Sequence, residues 1–366
     1  MSIHHRIPLL LLGLLFATAT PAATPNWHDI NLTIVHEHVL PRYQALAAAT
    51  ARLEQQGQAF CSSVDADGLA KLRQSYNEAM DAWMGVQHIR LGPVEMLMRY
   101  HRYQLWPDKH NTGAKHMRDL LAEQDLQRLQ PDNFQHISVA VQGFTALEGM
   151  LYGKGDTLKG FGTQGQAGYR CHVVEAIGHN LATMSAELEE AWGNDNTPFQ
   201  KMFNYYEPTN GVDDPDSSRE VAARFLNQLH TQLEAVVDQK LGRPLDASPA
   251  KAKPTRAESW RSRRSMRNIV LNLEATEALY LTGYSPAVKA KPEGVEVDKR
   301  IRAGFRDAIV QAKGFKRPLY EIARDPAQRP QLQRLQQTIT GLKGEISANL
   351  SQILDLPQAF NSLDGD

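Results

Sequence analysis

Apolar side chains recur at three- and four-residue intervals through most of the chain, while alternating strand-like runs are nearly absent. That period is the mark of amphipathic helices. It predicts helices at 27–56, 67–91, 93–106, 114–129, 133–152 and 168–192, and a second group at 217–241, 256–283, 295–313 and 331–354. An all-α fold follows. The Pro- and Asp-rich stretch from Pro208 to Pro215 marks a boundary, giving an N-terminal helical bundle over 24–212 and a C-terminal one over 213–366. A linker from Gly242 to Pro254 and a glycine-rich loop from Gly153 to Gly168 are expected to be exposed. The loop contains Gly160-Phe-Gly162-Thr-Gln-Gly165, but a dinucleotide fingerprint must follow a strand, and here a helix precedes it.

The first residues break the pattern. His4, His5 and Arg6 form a polar, basic start, Ile7 to Phe16 an apolar run, and small residues follow, with cleavage expected after Ala19, Ala22 or Ala23. This is the layout of a signal peptide, residues 1–23. The run is about half the roughly 20 residues that a membrane-spanning helix needs, and no second run of that length appears, so an exported protein that does not span the membrane is expected. Of 366 residues, 40 are Lys or Arg and 41 Asp or Glu. A dedicated nucleic-acid binder would show a basic excess, so that class is set aside. The two cysteines, Cys61 and Cys171, lie in the exported part and are expected to form a disulfide there; the alternative is two buried thiols that never meet.

Candidate chemistry comes from charges that fall where the period demands an apolar residue. In the stripe Ile137, Val141, Phe144 and Leu151, Glu148 sits at the centre, with Thr145 one turn before it. The stripe of 67–91 runs on into Gln87 and Arg90, and that of 256–283 takes in Glu277 and extends back to Arg263. An unpaired buried charge costs several kcal/mol, so such residues need partners or ligands. Arg90, Glu148, Arg263 and Glu277 are therefore expected to converge on one polar pocket; the alternative is a set of separate salt bridges or helix ends. His172, Glu175 and His179 share a helix face opposite the apolar one and are expected to be solvated; the alternative is a site for a divalent transition metal. His36-Glu37-His38 lacks the second histidine of HExxH, because Leu40 stands there. The run from Arg256 to Arg267, with Trp260 inside it, is expected to be the polar face of a helix start.

Several ordered blocks resemble the imelysin family, exported bacterial proteins historically grouped as insulin-cleaving peptidases. They are Gln87-His88-Ile89-Arg90-Leu91-Gly92-Pro93, Leu105-Trp106-Pro107-Asp108-Lys109, and Val141-Gln142-Gly143-Phe144-Thr145-Ala146-Leu147-Glu148, with Arg264 to Tyr284 and the ending from Phe360 to Asp366. The resemblance implies two helical bundles with a functional pocket near their interface, export to the periplasm or outer envelope, and a part in iron acquisition. Of the family hallmark GxHxxE, Gly143 and Glu148 match and Thr145 replaces the histidine. Threonine is a poorer transition-metal ligand than imidazole, so His38 and His88 become candidate substitutes beside Glu148. No catalytic set is recognisable. The resulting expectation is a protein that binds iron, another divalent metal or an iron-bearing ligand through Arg90, Gly143, Thr145, Glu148, Arg263 and Glu277, with envelope iron-uptake proteins as partners. The rivals are a metallopeptidase using Glu148 as base or ligand, and an envelope module that binds another protein.

Overall fold

The structure, a computed structural model, describes residues 25–153, 155, 157–193 and 215–357. The expected signal peptide and the expected boundary at 212–213 lie outside these residues. Among those described there is no strand. Asn26 caps the first helix by accepting the Asp29 N–H. The principal helices are α1 (Trp27–Thr33), α2 (Leu40–Ser62), α3 (Ala66–Val86), α4 (Thr112–Glu123), α5 (Phe144–Leu151) and α6 (Gly165–Gly193). After them come α7 (Pro215–Glu234), α8 (Ser265–Leu279), α9 (Gly294–Gly314) and α10 (Arg329–Leu354).

Three helical runs widen into π-turns at Ile34–Val39, Ala235–Gly242 and Tyr280–Tyr284, and in each a proline stands two residues later: Pro41, Pro244 and Pro286. A proline inside a helix lacks its N–H and crowds the carbonyl four residues back. The wider turn shifts the pairing by one, so that Leu40 N–H reaches the Val35 carbonyl and Ser285 N–H the Tyr280 carbonyl. The chain then continues as helix through prolines that would otherwise end it.

In the first half α2 packs against both α3 and α6; in the second, α9 packs against α10 and α8. The halves are joined: α3 lies on α8 and α1 on α7, and the buried apolar side chains form one continuous cluster from Trp27 to Leu356. At the junction Lys240 and Glu258 are buried as an ion pair, 2.8 Å between Nζ and Oε2. Lys240 Nζ also donates to Gln87 Oε1 at 2.8 Å and Asn272 Oδ1 at 2.6 Å, and Asn268 Nδ2 donates to Glu258 Oε2 at 2.9 Å. Burial lowers the lysine pKa, and the adjoining carboxylate opposes that shift.

Several expectations are corrected. The stretch 93–106 forms two single 3-10 turns and a short helix, Arg99–Tyr103, because Leu97 and Met98 take left-handed conformations. The expected helix 133–152 is interrupted and reaches full regularity only at α5, after Gly143. The expected helix from 256 starts at Ser265; before it the chain is irregular, with Ser259 and Arg263 at positive φ. Cys61 and Cys171 are buried neighbours 2.6 Å apart but are free thiols, since a disulfide needs about 2.05 Å between sulfurs.

Replacing Lys240 by Met leaves Glu258 buried without its counter-charge, and should cost about 3–5 kcal/mol in urea unfolding. Replacing Glu258 by Leu in the same chain should recover most of that loss. A single-variant loss below about 1 kcal/mol, the level of an exposed pair, would show that the pair does not hold the junction.

Candidate functional site

The site is built on the start of α5. Gly143 lies in extended conformation against the 102–103 backbone, where a Cβ would be driven into the carbonyl oxygens of Arg102 and Tyr103. Only glycine permits that approach. The approach is fixed by Arg102, which is buried and donates to Gln142 Oε1 at 2.7 Å and Asn180 Oδ1 at 2.6 Å. Gln142 donates in turn to the Ile137 carbonyl at 2.6 Å. From this anchor α5 presents Thr145, whose hydroxyl donates to the Leu105 carbonyl at 3.2 Å, and one turn later Glu148.

Glu148 is 3% exposed. Its Oε1 accepts from the Ser262 N–H at 2.8 Å and the Ser262 hydroxyl at 2.7 Å, and among the described residues no hydrogen bond reaches Oε2. Burial raises its pKa above the usual carboxyl value, against the pull of the two Ser262 bonds. Ser262 belongs to the irregular strap that follows Pro254, which folds over α5 from the second half of the chain.

Between strap and helix lies a cavity of about 830 Å³, within the range of small-molecule sites. Thr145 and Glu148 line it from the first half, together with Trp106, Asp108, Lys109 and Arg170. Arg243, Arg256, Ser259, Trp260 and Arg261 line it from the second. Asp108 accepts the Thr112 and Gly113 N–H groups, each at 2.8 Å, and so is tied to the start of α4. Trp260 stacks on Tyr320 with centroids 5.1 Å apart, and the Arg261 guanidinium lies over the Trp260 ring.

The other sequence candidates are placed elsewhere. Arg90 lies over the Tyr100 ring, 4.4 Å from its centroid, and its backbone N–H donates to Gln228; it does not line the cavity. Arg263 is exposed and pairs with Glu321. Glu277 is half-buried on the side of α8 toward Arg302, Lys313 and Arg306, and its pKa is raised by burial and by Glu274. The four charges therefore do not meet in one pocket. Among the residues not singled out were Arg170 and Arg243, while Lys109 lay in a resemblance block and Ser262 in the basic run without being read as part of the site. Arg256 and Arg261 lay in the basic run and Trp106 in a resemblance block, but neither was read as a pocket wall.

His38 and His88 do come together: their Nε2 atoms are 2.7 Å apart, both rings are buried, and among the described residues neither Nδ1 has a partner. Neither residue lines the cavity of Glu148. Desolvation holds both imidazoles well below the usual 6.5, with His88 and Arg42 acting further on His38 and Arg42 on His88. His172 and His179 are bonded to Glu175 and Glu54 on the wall of a separate groove.

The donors around Glu148 do not fit a directly coordinated iron or zinc ion. Thr145 gives its proton to a backbone carbonyl, Asp108 is held by two N–H groups, and among the described residues no three His, Cys, Asp or Glu side chains are grouped to hold a metal. The surroundings fit an organic or chelated ligand with polar edges.

A family model described as Imelysin matches residues 39–346. An imelysin-like protein from Psychrobacter arcticum superposes with a TM-score of 0.72 at 18% identity, covering 91% of this chain and 97% of that one. A candidate iron-regulated protein A precursor from Parabacteroides distasonis superposes with a TM-score of 0.66 at 14% identity, covering 90% and 97%. No curated protein matches.

Both histidines are neutral in the folded chain and can charge once it unfolds, so the unfolded state binds more protons below pH 6.5. Stability should be complete above neutrality and fall as pH drops through 6.5, with a slope approaching about 2.7 kcal/mol per pH unit for two groups. Urea unfolding at pH 8, 6.5 and 5.5 checks this. A flat profile over that interval would show the pair to be solvated.

Proposed function

The chain belongs to the imelysin family, and from that premise we propose that it is an exported binding protein of bacterial iron uptake, holding an iron-bearing ligand in the cavity beside Glu148. The observation that carries the reading is the placement of Glu148: a buried carboxyl fixed through one oxygen, its other oxygen unbonded, on the wall of a cavity bounded by both halves of the chain. A group of that kind orients a polar ligand without binding metal by itself. The iron-regulated precursor of similar fold supports the iron link and an exported location. No described helix is long and apolar enough to cross a membrane. The expected signal peptide would send the protein to the periplasm or outer envelope, where envelope iron-uptake proteins are the partners.

The test is calorimetric titration of the mature protein with iron chelates of differing charge. At least one should bind, and Glu148→Gln, which keeps an acceptor for Ser262, should weaken that chelate at least tenfold with little change in melting temperature. Affinity indifferent to Glu148→Gln, or no binding of any chelate, would overturn the reading.

A further inference from the structure

The cavity wall carries five cations, Lys109, Arg170, Arg243, Arg256 and Arg261, against two carboxyls, in a chain whose formal net charge is −1. Several arginines elsewhere are matched with carboxylates: Arg264 and Arg267 with Asp81, Arg300 with Glu345, Arg317 with Glu321 and Asp325. In the cavity they are not. Lys109, Arg243, Arg256 and Arg261 have no carboxylate partner among the described residues. Arg170 spends one N–H on the Met150 carbonyl at 2.9 Å, and its buried Nε has no partner. The two carboxyls leave most of this charge unmatched: Asp108 is engaged by backbone N–H groups, and Glu148 bonds only Ser262 among the described residues, with Arg261 acting on it through its charge against the desolvation that raises its pKa.

Like charges gathered in a concave site repel one another and focus a positive potential into it. A guanidinium presents a planar fork that matches a carboxylate in two parallel bonds. The cations come from both parts of the chain, Lys109 and Arg170 from the first half and Arg243, Arg256 and Arg261 from the second. The indole rings of Trp106 and Trp260 add flat apolar surface between the charges.

We infer that the cavity selects its ligand by negative charge: a small polycarboxylate chelate whose outward oxygens engage arginines from both halves at once. That the chelate carries iron rests on the function proposed above; that it is an anion rests on the cations. The bound metal is thus read through its chelator rather than by protein ligands, in keeping with the donors around Glu148.

Titration with ferric citrate, metal-free citrate and the cationic ferric trihydroxamate ferrioxamine B separates the two claims, with quenching of tryptophan fluorescence as the readout. Ferric citrate should bind, more weakly in 0.5 M salt, and ferrioxamine B should not. The double variant Arg243→Gln/Arg256→Gln should lose at least tenfold in affinity with an unchanged melting temperature, since neither side chain has a carboxylate partner among the described residues. Equal binding of metal-free and ferric citrate would sustain the anion and sink the iron. Binding of ferrioxamine B with no binding of ferric citrate would overturn the anion while leaving the iron. Ferric citrate affinity unmoved by the double variant, or no binding of either citrate form, would also overturn it.

Discussion

The buried contact between Lys240 and Glu258 is the constraint on which the site depends. Two ions withdrawn from water cost several kcal/mol unless every polar atom finds a partner. Here partners come from distant parts of the sequence: Gln87 just after α3, and Asn268 and Asn272 on α8. Satisfying the pair therefore requires both halves of the chain to be in place. It also fixes the strap, for Glu258 is its buried anchor, and the next four residues supply Ser259, Trp260 and Arg261 to the cavity and Ser262 to Glu148. The ammonium lies 5.9 Å from the centroid of Trp106, on the opposite wall, so one buried charge borders both sides of the cavity.

This arrangement explains how Glu148 can be a buried acid with no carboxylate–guanidinium hydrogen bond among the described residues, held by Ser262 and by the charge of Arg261. Two donors from one serine stabilise its charged form, and burial destabilises it. The donors reach only one oxygen, so the other is free to accept from a ligand, or to donate to it when protonated. Around it the unpaired arginines make an unfavourable field that an anion would relieve. A site with no grouped metal donors but several unpaired guanidinium groups is suited to a chelate's outer surface rather than to a bare cation.

Much of the fold was legible in the hydrophobic period, since long helices such as α6 and α9 each bury a stripe at helical spacing. The errors lie where a tertiary contact outweighed local preference. The helices expected to end at 241 and 283 run on through Pro244 and Pro286 by widening one turn, as the chain also does before Pro41. Arginine is a good helix former, so the run from Arg256 read as helix; buried hydrogen bonds from Glu258, Ser259 and Ser262 hold it as a strap instead. At the site, the rule that a charge within an apolar stripe needs a partner located Glu148. Applied to Arg90, Arg263 and Glu277 it misled for local reasons. α3 ends at Val86, before Arg90; α8 starts after Arg263; and Glu277 sits at the half-exposed margin toward α9. Lys240 and Arg243 carried no signal, because a cation at a helix end reads as solvated.

The central claim is that one ligand touches α5, the loop at Trp106 and the strap together, across the two halves of the chain. Amide hydrogen exchange with and without ferric citrate tests it most directly. The account predicts slowed exchange concentrated in residues 106–117, 145–150 and 254–262, with the groove around His172 and His179 unchanged. Protection confined to one half of the chain, or centred on that groove, would contradict it.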